Sequence, residues 1–375
     1  MIMNIKLTDV CDILYGYPFD SSKFNSNNGI GVVRIRDIVR GYTETFTTED
    51  CSEQYAVKKG DILVGMDGEF NIAKWQGAPA MLNQRVCKLS PKANLDKNYL
   101  FYHMPIILKS IEARTPFVTV KHLSAKELNN VYLQLPSIEE QRKIALVLST
   151  IDLLIGNYYT QLQDLGNLVK SRFIEMFIQN DAVFPNKKLG ECTIINPKKS
   201  MDNRLKDDLI VSFVPMASVG EDGSINTSDT KTYCEVKNGF TYFMDGDVLF
   251  AKITPCMENG KGAVATNLCN GIGFGSTEFH VIRPLEGITN PVWLYTLSVL
   301  KEFRLAAEAN MTGSAGQKRT PSSFLQNYEI KLPPIDLQDQ FADFVAQVDK
   351  SKLAVQQSLN ELETLKKSLM QQYFG

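Results

Sequence analysis

The sequence predicts an α+β protein in which two mixed α/β domains alternate with two long helices that pair as an antiparallel coiled coil. Three observations support this prediction. The phrase LPSIEEQRKIA at residues 135–145 returns as LPPIDLQDQFA at residues 332–342, each phrase opens a heptad pattern, and a Gly-Asp pair precedes an apolar run upstream of each phrase. A chain of 375 residues is long enough for two or more domains.

The two phrases belong to an internal repeat with a constant offset of 197 residues. Identical residues recur at this offset from residue 135 to residue 177, for example Gln141 with Gln338 and Asp152 with Asp349. Self-similarity at a fixed spacing indicates a repeated structural unit. The Gly-Asp pair shifts by only 186 residues, so the second copy carries extra residues between this turn and its helix.

Long helices are predicted over residues 137–180 and 334–375. Ser137 and Glu140 fit a capping box at the start of the first helix. An amphipathic helix packed on a globular core is the alternative, but the length and the regular spacing favour a coiled coil. The apolar residues at steps of four and three in the first helix are Ile144, Leu148, Ile151, Ile155, Tyr158, Leu162, Leu165 and Val169.

The second helix departs from the heptad pattern at two positions. Lys352 and Lys366 stand where the first helix has apolar residues. Burying a lysine is costly, so either these side chains extend to solvent or the apolar seam shifts to Leu353 and Leu365. The sequence leaves both alternatives open.

The globular domains are predicted at residues 1–136 and 181–333. GDILVG from residue 60 and GDVLFA from residue 246 each predict a turn followed by a buried strand. The segments MLNQRVCKLSP (81–91) and GSTEFHVIRP (275–284) are predicted as strands with alternating polar residues that end at a proline.

Composition argues against several classes of protein. No apolar stretch approaches the roughly 18 residues of a membrane span, and the N-terminus shows no signal-peptide pattern, so a cytoplasmic protein is expected. The seven cysteines lack C-x-x-C spacing and the three histidines are scattered. They predict reduced, mostly buried thiols and no metal site.

Catalytic motifs are also missing from the sequence. It contains no G-x-S-x-G, H-E-x-x-H or P-loop motif. GIGFG at residues 271–275 precedes a predicted strand rather than a helix, which argues against a dinucleotide site. Asp67-Gly68 and Asp222-Gly223 are interpreted as hairpin turns. No catalytic residue is predicted, and the chain is expected to be non-enzymatic.

Side chains suited to phosphates and base edges occur in both domains. Arg34 and Arg36 are predicted on one side of a strand, and Lys74 is predicted in a polar loop. Lys and Arg neutralise phosphates, whereas Arg, Asn and Gln read purine edges. Each residue alone is more typical of a solvated surface, but the set, placed at matching positions of two repeated domains, favours a binding surface. The predicted DNA-binding residues are Arg34, Arg36, Lys74, Asn83, Gln84, Arg85, Lys121, Lys252, Asn259, Lys261, Gln317, Lys318 and Arg319.

The charge of the chain qualifies this interpretation. The net charge is −2, and each predicted domain is close to neutral. A free-standing nucleic-acid-binding domain is usually basic. A basic partner protein is therefore expected to supply much of the phosphate neutralisation.

Over nearly its whole length the chain resembles the specificity (S) subunits of type I restriction–modification enzymes. The most specific parts are GDILVGMDGEF with NQRVCKL, GSTEFHVIRP, GSAGQKR and the two LPxIxxQ openings. The resemblance implies two target-recognition domains, each of which reads one half of a split, asymmetric DNA site. It also implies that the two helices act as spacers that set the gap between the half-sites.

The resemblance further implies double-stranded DNA and protein partners. In the family the helices dock modification (methyltransferase) subunits, here expected to be two, which bind S-adenosylmethionine. This chain lacks the Asn/Asp-Pro-Pro-Tyr/Phe motif of an adenine methyltransferase, so it is expected to bind no cofactor itself. No membrane contact is expected either. A restriction subunit adds translocation and cleavage in the family, and its presence here is left open.

Two other hypotheses remain beside this one. A coiled-coil scaffold protein whose globular domains bind protein partners would explain the helices equally well. It explains the set of Arg, Lys, Asn and Gln residues less well. A stand-alone methyltransferase or nuclease is disfavoured because its motifs are missing.

Overall fold

The computed structural model describes residues 3–115, 121–179, 183–314 and 316–375. The chain divides into two compact units: the first comprises residues 1–159 and 357–375, and the second comprises residues 160–356. Each unit therefore combines one sheet-rich region with a part of each long helix. The predicted division into four segments at residues 136, 180 and 333 stays a prediction.

The first part of the chain forms short strands and helices that precede one long helix. In chain order these elements are β1 Met3–Lys6, α1 Leu7–Val10, β2 Cys11–Tyr15, β3 Phe24–Asn25, β4 Ile30–Val33, α2 Ile35–Arg40, β5 Phe46–Thr47, β6 Ala56–Val57, β7 Ile62–Gly65, β8 Ile72–Lys74, β9 Ala80–Leu82, β10 Val86–Pro91, α3 Lys97–Arg114, α4 Ala125–Asn129, β11 Tyr132–Leu135 and α5 Ile138–Phe177.

The second part of the chain follows the same plan. Its elements are β12 Asn186–Lys188, α6 Leu189–Cys192, β13 Thr193–Ile195, β14 Ile210–Val214, β15 Thr230–Thr232, α7 Tyr233–Val236, β16 Thr241–Met244, β17 Val248–Ala251, β18 Gly262–Val264, β19 Ile272–Gly275, β20 Phe279–Pro284, α8 Pro291–Val299, α9 Lys301–Ala309, α10 Ser322–Asn327, β21 Glu329–Lys331 and α11 Ile335–Phe374.

The first unit contains two larger sheets and one strand pair. An antiparallel sheet has the strand order β2-β10-β7-β8, and a second sheet has the order β3-β5-β4-β9-β6 with β4 parallel to β9. β1 pairs with β11. All four residues of β7 are buried, which confirms the predicted turn and buried strand after Gly60-Asp61.

The second unit repeats this topology, except that the edge strand β3 has no counterpart among its described strands. Its sheets have the orders β13-β20-β17-β18 and β15-β14-β19-β16, with β14 parallel to β19, and β12 pairs with β21. β17 is again buried at every position. The mixture of sheets and helices confirms the predicted α+β class, and the shared topology agrees with the internal repeat.

The repeated phrase forms the joint between each sheet-rich region and its long helix. In the first unit Gln141 is 1% exposed. Its side-chain oxygen accepts the N–H of Asp96, the residue that caps α3, at 2.9 Å. Its amide nitrogen donates to the carbonyl oxygens of Asn94 at 3.2 Å and of Pro136 at 3.0 Å. These bonds fasten the first turn of α5 to the loop before α3.

Gln338 makes the corresponding bonds in the second unit. It is 0% exposed, and its side-chain oxygen accepts the N–H of Asn290, the cap of α8, at 2.9 Å. Its amide nitrogen donates to the carbonyl oxygens of Ile288 at 3.0 Å and of Pro333 at 2.9 Å. The phrase recurs because the same buried joint is built twice.

The two long helices run antiparallel within each unit. In the first unit the hydroxyl of Tyr159 on α5 donates to Glu363 on α11 at 2.8 Å, whereas Asp152 meets Lys366, further along α11, at 2.6 Å. In the second unit the rings of Phe177 on α5 and Phe341 on α11 lie 5.5 Å apart, whereas Arg172, earlier on α5, lies 5.9 Å from the ring centre of Phe344, further along α11. Residues earlier on α5 therefore contact residues later on α11, which is the pattern of an antiparallel pair. Supercoiling of the pair stays a prediction.

The two lysines remain in the seam of α11. Leu353 and Leu365 are 61% and 46% exposed, so the alternative of a shifted seam is wrong. Lys352 forms an ion pair with Asp349 on the same helix at 3.0 Å. Lys366 forms an ion pair with Asp152 on α5 at 2.6 Å. Each lysine charge is thus met by a carboxylate at the half-buried helix surface.

The cysteines only partly agree with the expectation from composition. All seven are unpaired thiols, but only Cys11, Cys87 and Cys192 are buried and Cys234 is exposed. The expectation of mostly buried thiols is therefore wrong. Burial raises the pKa of Cys11 and of Cys87 to about 12, so neither thiol ionises near neutral pH.

We predict that Gln141→Leu destabilises the first unit by about 2–4 kcal/mol, because it leaves one N–H and two carbonyl groups without their buried partner. Urea denaturation followed by hydrogen exchange of α3 and α5 measures the effect. Gln161→Leu, an exposed position of the same helix, is the control and should change the unfolding free energy by less than about 0.5 kcal/mol. Equal effects of the two substitutions would contradict the role of the joint.

Candidate nucleic-acid interface

A short turn at residues 83–85 carries three of the predicted binding side chains. It connects β9 with β10, so the segment 81–91 is two strands and the prediction of one strand is wrong. The N–H of Asn83 donates to the carbonyl of Val33 at 3.3 Å, and the N–H of Gln84 donates to the carbonyl of Tyr17 at 2.9 Å. The backbone of the turn is therefore held by Val33 at the end of β4 and by Tyr17 shortly after β2, while Gln84 and Arg85 are exposed and Asn83 is half-buried.

Arg34 and Arg36 lie beside this turn, but not on a strand as predicted. β4 ends at Val33 and α2 begins at Ile35. The N–H of Arg34 donates to the buried carboxylate of Asp37 at 2.9 Å, which closes the first turn of the helix. Asp37 thus satisfies the N–H of Arg34 at the start of the helix, where backbone donors have no partner within the helix.

These residues line one cleft in the first unit. The cleft has a volume of about 510 Å³, and Phe24 forms part of its apolar wall. The guanidinium carbon of Arg34 lies 5.7 Å from the centre of the Phe24 ring. The predicted binding residues that line the cleft are Arg34, Arg36, Asn83, Gln84 and Arg85.

Two further predicted residues of the first unit lie elsewhere. Lys74 ends β8 rather than lying in a loop, and its ammonium donates to the side chain of Asn98 at 2.7 Å and lies 4.6 Å from the centre of the Phe101 ring. Burial lowers the pKa of Lys74. Lys121 forms an ion pair with Glu112 at 3.3 Å. Neither residue lines the cleft of the first unit.

The predicted residues of the second unit are more dispersed. The side chain of Asn259 donates to Glu221 at 2.9 Å, and Lys261 donates to a backbone carbonyl at 3.2 Å. Gln317 and Lys318 are exposed. None of these four residues lines the cavity that contains Lys252.

A cavity of about 370 Å³ in the second unit is lined in part by Lys252. Its walls include Lys199, Lys237 and Phe240, which sequence reasoning missed. Lys199 donates to the backbone carbonyl of Lys237, and burial lowers the pKa of Lys252. The three lysines lie far apart in the sequence, so only the fold reveals the cluster.

The turn at residues 276–278 is the structural counterpart of the turn at 83–85. In the first unit the N–H of Met66 donates to the carbonyl of Arg85 at 3.0 Å, and in the second the N–H of Lys252 donates to the carbonyl of Glu278 at 2.9 Å. An arginine in one unit thus corresponds to a glutamate in the other. The strand β20 begins only at Phe279, and its first four residues are buried rather than alternating, which corrects the prediction for 275–284.

Glu278 is neutralised within the second unit. Arg319 donates to both of its carboxylate oxygens, from Nε at 2.9 Å and from Nη2 at 2.8 Å. These hydrogen bonds hold the pKa of Glu278 below its usual value. Arg319 is therefore engaged with the protein.

The described ranges offer neither a cluster of metal ligands nor a membrane-spanning helix. Among these residues no three His, Cys, Asp or Glu side chains are grouped so that they could hold a metal ion. Within the same residues, no helix combines the length and the apolar character that crossing a bilayer requires.

Comparison with known proteins identifies the family. A model described as the type I restriction modification DNA specificity domain matches residues 2–167 and 183–364. The chain belongs to the type I restriction–modification DNA specificity family. The two matched segments follow the internal repeat, since each includes a sheet-rich region and most of the long helix after it.

Individual relatives cover a part of this chain. It is 38% identical over 170 residues to the EcoBI specificity subunit and 40% identical over 175 residues to the EcoAI specificity subunit, both from Escherichia coli. Each match covers 45% of this chain, and the matches cover 36% and 28% of those relatives. The chain therefore spans about a third of the length of these curated relatives.

A solved structure agrees in fold over the whole chain. The crystal structure of a type I restriction–modification S subunit from M. genitalium aligns with a TM-score of 0.55 at 12% sequence identity. The match covers 99% of this chain and 95% of that chain. At this identity the likeness concerns the fold alone.

We predict that Gly16→Ala displaces the turn at residues 83–85. A Cβ atom at Gly16 would lie 2.1 Å from the carbonyl oxygen of Asn83, so the backbone must shift at a cost of about 1–3 kcal/mol. Hydrogen exchange of Gln84 and Val86 should increase. Gly166→Ala, where nothing lies within 4 Å of an added Cβ, is the control and should stabilise α5 by up to about 1 kcal/mol. An unchanged turn in Gly16→Ala would contradict its close packing.

Proposed function

We propose that this chain is the sequence-specific DNA-recognition subunit of a type I restriction–modification complex. The observation that supports the proposal most is the cleft of the first unit, where Arg34, Arg36 and the turn at residues 83–85 lie together. Arginines can hold phosphates and read guanine, and the two amide side chains can read adenine. Family membership supports the same function.

We further propose that each sheet-rich region reads one half of a bipartite site. The two units share one topology, but their corresponding turns carry different side chains, Asn-Gln-Arg at 83–85 and Ser-Thr-Glu at 276–278. A common scaffold with different side chains is suited to two different half-sites. The cavity lined by Lys252 brings three lysines together in the second unit, although Lys237 is paired with Asp207 at 3.0 Å.

The long helices are proposed as spacers and docking surfaces. They would set the gap between the half-sites and bind two modification subunits. Leu146, Val147, Leu153 and Leu154 are exposed on neighbouring turns of α5, and a contiguous apolar patch is typical of a protein-binding surface. The nearly neutral charge of the chain fits a subunit whose partners contribute to phosphate neutralisation.

The chemistry is proposed to belong to the partners. The modification subunits would bind S-adenosylmethionine and methylate adenine, whereas this chain would bind no cofactor and act as a non-catalytic subunit. A restriction subunit would add cleavage. A cytoplasmic location and the absence of a membrane partner are part of the proposal. The comparisons do not support the alternative of a coiled-coil scaffold.

We predict that the chain alone binds DNA weakly and loses this binding as salt increases, because few phosphates are neutralised. Addition of its modification subunits should produce binding and adenine methylation at one bipartite sequence. Fluorescence anisotropy at fixed salt and methylation sequencing measure the two properties. A complex without sequence preference in both measurements would contradict the proposed function.

We predict that insertion of four residues at the start of α11 changes the gap between the half-sites. Four residues lengthen a helix by about 6 Å and preserve its face approximately. Methylation sequencing should show unchanged half-sites with a new gap. Four residues inserted into the exposed loop at residues 221–224 serve as the control and should leave the gap unchanged. Altered half-sites with the original gap would contradict the spacer role.

A further inference from the structure

The side chain of Arg85 is held at one end and free at the other. Its Nε lies 3.4 Å from Oδ2 of Asp67, and the side chain is 54% exposed. Among the described residues neither of its terminal nitrogens has a hydrogen-bond partner. The guanidinium therefore presents two donors to the cleft.

Asp67 is itself fixed in place. It lies in the connection between β7 and β8, and its Oδ1 lies 2.6 Å from Nδ1 of His122. The backbone of Asp67 forms a β-bridge with His122. Together with the bonds that hold the turn, this contact restricts where the guanidinium of Arg85 can point.

A guanidinium held in this way suits one kind of base. Guanine offers two acceptors, O6 and N7, to the major groove, and the terminal nitrogens of arginine match them with two parallel hydrogen bonds. A side chain that is already oriented loses less conformational entropy when it binds. Arginine also binds phosphate bidentately, but a phosphate contact carries no sequence information, so a preference for one base pair distinguishes the two ligands.

The second unit lacks this arrangement. Glu278 occupies the position of Arg85, and Arg319 donates to it from Nε and Nη2 while its Nη1 donates to the carbonyl of Gln317 at 3.1 Å. All three nitrogens of Arg319 thus have protein partners. The two units differ in the chemistry that they offer to DNA.

We propose that Arg85, positioned by Asp67, reads the guanine of one G·C base pair in the half-site bound by the first unit, and that Arg319 has no corresponding role. This inference rests on the proposed function. Asp67 is a positioning residue, since it acts through Arg85. The proposal predicts that one half-site contains a G·C pair whose recognition depends on the side chain of Arg85.

The test uses the complex with its modification subunits and a set of DNA duplexes in which each base pair of both half-sites is replaced in turn. The wild-type complex should prefer the G·C pair by roughly 5- to 100-fold in Kd. Arg85→Ala should abolish this preference at one base pair and leave the other positions discriminated. Arg85→Lys should restore part of the affinity but little of the preference, because an ammonium group is a point donor. Asp67→Asn should weaken the preference at the same base pair.

Two substitutions provide matched comparisons. Arg36→Ala removes the same charge from the cleft, and we expect it to weaken binding to all sequences by a similar factor. Arg40→Ala removes the same charge from the other end of α2, where Arg40 pairs with Glu44 at the surface, and it should leave binding unchanged. Thermal melting confirms that every variant is folded.

The outcomes separate this inference from the proposed function. If Arg85→Ala weakens binding to all sequences equally, or if the affected half-site has no G·C pair, the inference is wrong while the proposed function stands. If Arg319→Ala instead abolishes discrimination at one base pair, the assignment to Arg85 alone is wrong. A wild-type complex without any sequence preference overturns both.

Discussion

The buried side chains of Gln141 and Gln338 determine how each long helix leaves its sheet-rich region. Each makes three hydrogen bonds to backbone groups, one to the residue that caps the preceding helix and two to carbonyls on either side of the joint. A buried amide without such partners would cost about 1–3 kcal/mol, so only one geometry of the joint satisfies it. The joints thereby fix where α5 and α11 leave their sheet-rich regions, and contacts along the helices hold the antiparallel pairing within each unit.

The sequence predicted the elements whose signals are local and periodic. The heptad spacing located α5 and α11, and the Gly-Asp pairs located the buried strands β7 and β17. The constant offset of 197 residues predicted that the two halves share one order of elements. The repeat is detectable because both copies keep the residues of the buried joint, including Gln141 and Gln338. The sequence did not decide the seam of α11, since the pairing of Lys366 with Asp152 depends on a residue more than 200 positions away.

The cleft was predicted in its residues but not in its geometry. Arg34 and Arg36 resembled a strand because apolar residues alternate there, yet the strand ends at Val33, where β4 pairs in parallel with β9, and Asp37 caps a short helix instead. Lys74 was misplaced because nothing near it in the sequence indicates its contact with α3. Lys199 and Lys237 were missed for the same reason, since they meet through a hydrogen bond between residues that lie 38 positions apart.

The proposed reading of DNA through the turn at residues 83–85 is tested most directly by a structure of the assembled complex on its target DNA. We expect this turn in the major groove, with the terminal nitrogens of Arg85 about 3 Å from O6 and N7 of a guanine. A structure in which the turn faces solvent or protein, while the DNA contacts another surface of the first unit, would contradict this account.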